Sequence, residues 1–125
     1  MNTLILERRA TAVIAGITVL TGASQMALPA ALLPLLHVDP TPAACQLFAT
    51  VGMFMVLFGC AVLHAQKRPE ALPVVLLWAA LQKFGASILV AWGVGHGVFA
   101  ALALLVATFD FASGLLFIDL RRRGG

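Results

Sequence analysis

An all-α integral membrane fold, four helices running up and down as one bundle, is what this sequence predicts, and three observations carry that prediction. Of 125 residues, 62% are hydrophobic and only 10% charged, with a mean hydropathy of +1.03. A soluble domain of this size needs a substantial polar exterior, so the solvent for most of these side chains has to be a bilayer. The apolar residues fall into four stretches, about residues 10–30, 45–63, 72–91 and 97–118. Each is close to the roughly 20 residues a helix needs to cross the hydrocarbon core, and none shows the alternation of a barrel strand. Finally, seven of the eight Lys and Arg residues (Arg8, Arg9, Lys67, Arg68, Arg121, Arg122 and Arg123) collect on one side if the chain crosses four times. The positive-inside rule then places both termini in the cytoplasm. Residues 1–125 are expected to form a single transmembrane domain without a soluble module.

The first span opens like a signal peptide, with Arg8 and Arg9 before the short apolar stretch Ala12 to Leu20. Apolar character continues through Ala27, Leu28, Leu32, Leu33 and Leu36, longer than a cleaved segment, so the span is read as retained. Pro29 and Pro34 predict that this helix kinks or ends between Met26 and Pro34, leaving carbonyls near Gln25 open. Thr41 and Pro42 fit the N-cap and first position of the second helix. Within it Cys45 and Cys60 stand 15 residues apart, which is roughly 22 Å along a helix and too far for a disulfide. Pro69 and Glu70 are expected to start the third helix, and Gly93, Gly95 and Gly97 around His96 to make a very short turn into the fourth.

That turn makes the third and fourth helices antiparallel neighbours, and each carries a charge where lipid is expected. A charged side chain at mid-membrane costs roughly 2.5–3.5 kcal/mol on insertion scales, so Lys83 and Asp110 read as a pair. Lys83 lies 12 residues from Gly95 and Asp110 lies 15. Their heights then differ by roughly 4–5 Å, within the reach of a lysine. Small residues flank both, Ala79, Ala80, Ala86 and Ser87 on one helix and Ala103, Ala107 and Gly114 on the other, and Thr18, Gly22, Gln25, Ala49, Gly52 and Gly59 form similar faces on the first two. If those faces converge, Gln25, Thr50, Lys83, Ser87 and Asp110 form an intramembrane polar cluster, either ligand-binding or structural. Gln82 belongs to a neighbouring face.

Several function classes find no support. The chain has no nucleophile elbow, phosphate loop, HExxH helix or paired-cysteine motif, and its two glutamates, Glu7 and Glu70, sit at the basic interface. No catalytic residue and no cofactor is assigned. His37 with Asp39 and His96 lack a fixed ligand spacing, so no metal site is expected. The basic residues are scattered without aromatic partners, which argues against nucleic acid. Asp119 is expected to pair with one of the arginines that follow it.

The run from Arg68 to Arg123, with its lysine midway along the third span and the segment DFASGLLF at 110–117, resembles a group of small uncharacterised four-span bacterial inner-membrane proteins and, more distantly, the DoxX-like group. The resemblance covers the second half of the chain. It implies the same four-span fold, a location in a bacterial inner membrane and, because some DoxX-like proteins are associated with quinone-linked oxidation complexes, a membrane partner. The leading expectation is a non-catalytic accessory or structural component that self-associates or joins a larger membrane complex. A protein that binds or transports a small amphipathic ligand in its polar cavity is the alternative, and a quinone-linked enzyme subunit the third.

Overall fold

Backbone groups in lipid must find their hydrogen-bond partners within the protein, and the described residues satisfy that with helices that bond within their own segment. The computed structural model describes residues 2–124, among which there is no strand. Its elements are α1 (Thr3–Ala27), a single turn α2 (Pro29–Leu32) continued as a 3-10 turn (Leu33–Leu36), α3 (Pro42–Ala65), α4 (Leu72–Gly95) and α5 (Ala103–Gly124). The four long helices have 22 to 25 residues each and are apolar enough to span a membrane. At 1.5 Å per residue they measure about 33–38 Å, a little more than the hydrocarbon core, so their ends reach the headgroup region.

The helix boundaries follow local chemistry. Asn2 caps α1 by accepting the Leu4 N–H at 2.9 Å, eight residues before the apolar stretch begins. As the prolines predict, α1 stops at Ala27; the Leu28 N–H closes on the Ser24 carbonyl at 2.9 Å, and Pro29 opens the next turn. Thr41 caps α3 by accepting the Ala44 N–H at 3.1 Å, with Pro42 at the first position.

Two expected boundaries move. Helix α4 begins at Leu72 rather than at Pro69 and Glu70, because the Ala71 and Leu72 N–H groups both return to the Arg68 carbonyl and close a turn around Pro69. Leu72, only 1% exposed, is the first side chain with a core to enter. The connection from α4 to α5 spans residues 96–102, longer than the very short turn expected. Gly97 takes a φ of +73°, and the Val98 and Phe99 N–H groups return to the Gly93 carbonyl. Phe99 then lies against Gly93, where a Cβ would come within 2.6 Å of its ring. Residues Val98 to Leu102 are apolar but cap the bundle instead of spanning, and α5 runs on through its arginines to Gly124. Hydropathy registers polarity, not helicity, which is why the fourth span starts late and ends late.

The bundle consists of two antiparallel pairs, α1 on α3 and α4 on α5, laid against each other with thinner seams at α1–α5 and α3–α4. The hydrophobic core fills the half nearer the arginines: Val62, Leu72, Leu76, Ala80, Phe117 and Leu120 are all buried there. In the other half, α1 and α3 touch backbone to backbone. A Cβ on Gly22 or on Gly52 would collide with the other's carbonyl oxygen, so both positions are restricted to glycine.

The basic end is tied by polar contacts. Arg8 donates to the Gln66 carbonyl at 3.2 Å while the Gln66 amide donates to the Arg8 carbonyl at 3.1 Å. Arg121 Nε donates to the Pro73 carbonyl at 2.9 Å. Asp119 accepts from Arg122 at 3.0 Å and lies 3.6 Å from Arg123, which also bonds Glu7 at 2.8 Å and so joins the two ends of the chain.

Candidate functional site

Lys83 sits midway along α4 and Asp110 seven residues into α5, both flanked by the small residues that let these helices approach closely. Ala79, Ala80, Ala103 and Ala107 are buried around them, and Gly114 accommodates the edge of the Phe84 ring. The Lys83 ammonium lies 3.2 Å from Asp110 Oδ1, with the two residues 3% and 8% exposed. The pair bonds directly although the intervening connection is longer than expected, because that connection folds back on the end of α4 and keeps the two helices in register.

A third residue completes the arrangement. Lys83 Nζ donates to Thr18 Oγ1 at 2.7 Å, and the Thr18 hydroxyl donates in turn to the Ile14 carbonyl of its own helix at 2.9 Å. The ring of Phe109 lies 5.3 Å from the ammonium, at cation–π distance. One cation thus holds α1, α4 and α5 at a common height. No family model, curated protein or solved structure matches this chain. Its chemistry has to be read from its own side chains.

The five residues proposed as one polar cluster do not all meet. Lys83 and Asp110 do. Gln25 is buried, but its amide donates to the Phe48 carbonyl of α3 at 3.1 Å, since it stands seven residues beyond Thr18, about 10 Å further along the helix. Thr50 bonds back to the Gln46 carbonyl of its own helix at 2.9 Å and is only half buried. Ser87 is buried on the α5 side of α4, beside a separate shallow groove with Ala91, Leu104 and Thr108. The glycine contact between α1 and α3 explains this division: it draws Gln25 toward a backbone carbonyl and away from the charges.

Thr18 and Phe109 complete the site, although sequence reasoning counted neither in the polar cluster. Thr18 had a legible signal. It precedes Gln25 by seven residues on the same helix face, at a depth that matches Lys83. Gln82, assigned to a neighbouring face, has its side-chain carbonyl oxygen buried without a hydrogen-bond partner among the described residues, and the same holds for Thr11 Oγ1 and Glu7 Oε2.

Beside the pair, the α1–α5 seam leaves a cleft of about 230 Å³, lined by Thr18, Met55, Lys83, Val106, Phe109 and Asp110 among others. Its rim residues Ile17, Leu105 and Val106 are exposed, so it opens sideways, toward where acyl chains would lie. His96 stacks on Trp92 with ring centroids 4.4 Å apart and lies within 2.9 Å of the Trp92 carbonyl through Nδ1, so its ring packs within its own helix end. Among the described residues no three His, Cys, Asp or Glu side chains gather. As for reactivity, an ammonium bonded to a carboxylate is neither a free nucleophile nor a base, and the Thr18 hydroxyl donates to a carbonyl, not to a base that would activate it.

Proposed function

We propose that this chain is a non-catalytic membrane bundle, an accessory or structural component that self-associates or joins a larger membrane complex, and that Lys83 and Asp110 fix the register of its helices. The direct 3.2 Å bond between two buried charges carries this reading, since it gives each ion its counter-charge where lipid offers none. Thr18 supports it by extending the same tie to α1. Large apolar side chains such as Leu20, Leu57, Trp78 and Leu89 face outward and are available to lipid or to a neighbouring subunit. The clustering of arginines at one end supports an orientation with both termini cytoplasmic, and the resemblance of the segment from Arg68 to Arg123 supports a bacterial inner-membrane location. A distant DoxX-like kinship belongs to the same reading and rests on Lys83 and the segment from Asp110 to Phe117.

Copurification and crosslinking from mildly solubilised native membranes test the proposal. A homo-oligomer or a larger complex is the expected result, and a strictly monomeric particle without partners would remove it. A second reading, a protein that binds a small amphipathic molecule, is favoured by the cleft that runs up to Lys83 and Asp110.

A further inference from the structure

The cleft and the charge pair together restrict what such a molecule can be. This inference rests on the second reading above and narrows it. Lys83 and Asp110 sum to zero charge, so an ionic headgroup entering the cleft would bring an uncompensated charge into a low-dielectric interior. A neutral head carries no such cost. Asp110 Oδ1 is engaged by Lys83, whereas Oδ2 has no hydrogen-bond partner among the described residues. A carboxylate is an acceptor with several lone-pair sites, and in a membrane an unused one calls for a donor.

Size and access point the same way. A cavity of about 150 Å³ holds benzene, so the 230 Å³ here takes a polar head and a short length of chain but not a whole lipid. The remainder has to leave through the side opening between Ile17 on α1 and Leu105 and Val106 on α5, which are exposed and apolar. Apart from Thr18, Thr21, Lys83 and Asp110, the lining is apolar, matching a single hydrocarbon tail.

We propose that the α1–α5 cleft binds a membrane-dissolved, single-chain alcohol whose neutral hydroxyl donates to Asp110 Oδ2 and whose tail passes between the two helices into the bilayer. The test uses the full chain in phosphatidylcholine nanodiscs with three photoactivatable diazirine probes: hexadecanol, hexadecane and hexadecyl sulfate. Mass spectrometry is expected to locate the hexadecanol label on residues 17–21 and 105–110, about tenfold above the hexadecane label, as one hydrogen bond to a charged group allows. Unlabelled hexadecanol, but not hexadecane, competes it away. In the paired variant Lys83→Met with Asp110→Leu, hexadecanol labelling falls to the hexadecane level. Val106→Trp, which fills the rim and leaves the charge pair in place, abolishes it. Equal labelling of the unaltered chain by hexadecanol and hexadecane, stronger labelling by the sulfate, or label confined to other helices would each overturn the proposal. None of those outcomes bears on whether the pair fixes register, which is read from stability.

Discussion

Replacing one member of the Lys83–Asp110 pair should harm the fold more than replacing both. Asp110→Leu leaves an ammonium, 3% exposed, with only the Thr18 hydroxyl and the Phe109 ring for company. Lys83→Met leaves a carboxylate, 8% exposed, with the counter-charge that Lys83 supplied gone. Removing one partner of a buried pair typically costs about 3–5 kcal/mol, whereas exchanging both for apolar residues of similar size is close to neutral. Here Thr18 softens the first loss and the open cleft the second, so each single variant is expected to lose about 3 kcal/mol and the double variant about 1 kcal/mol or less. Their coupling is then about 5 kcal/mol, well above the 0.5 kcal/mol or so that separates coupled from independent sites. Reversible unfolding in mixed micelles, measured for the parent, both singles and the double, gives the cycle. If the singles add up within about 0.5 kcal/mol, or the double is at least as unstable as the worse single, the pair does not fix register.

Three further outcomes follow from the packing. Gly52→Ala would place its Cβ 2.8 Å from Gln25 Cβ and against the Gly22 carbonyl, so it should destabilise by about 1–3 kcal/mol, while Gly85→Ala, which meets nothing, should stabilise slightly in the same unfolding assay. Gln25→Leu removes the bond to the Phe48 carbonyl and should cost about 0.6 kcal/mol, the average for interhelical hydrogen bonds in membranes; a loss many times larger would mean that Gln25 does more than tie α1 to α3. Arg123→Ala cuts the link from α5 to Glu7 and should cost about 1 kcal/mol in low salt and less at high ionic strength; a salt-independent loss would contradict a screened surface contact.

Most of the fold was legible because bilayer thickness fixes element length. Four apolar stretches and one basic side suffice to order the helices, and Pro29, Thr41 and Pro42 mark their ends through rules that operate within one turn. The start of α5 was not legible, since Val98 to Leu102 are as apolar as a span, and what sets them apart is the return of the Val98 and Phe99 N–H groups to the Gly93 carbonyl and of the Ala100 N–H to the Leu36 carbonyl. Within the site, the pairing of Lys83 with Asp110 was accessible because charges at matching depth on adjacent helices have little choice of partner. The separation of Gln25 and Thr50 from that pair was hidden. It depends on which carbonyl comes near when two glycine faces meet, and on a hydroxyl satisfied inside its own helix, and neither leaves a trace in residue type.

The uneven distribution of packing has a mechanical consequence. The hydrophobic core, the short link through Pro69 and the arginine ties all lie at one end, while at the other the 3-10 turn before α3 and the connection before α5 are joined by the Ala100 N–H to Leu36 carbonyl bond. The molecule is therefore bound like a book, with its spine among the arginines and its two covers, α1 with α3 and α4 with α5, clasped at the fore-edge by that backbone hydrogen bond. Thermal motion that parts the covers would widen the gap beside Asp110 before it disturbs anything at the spine.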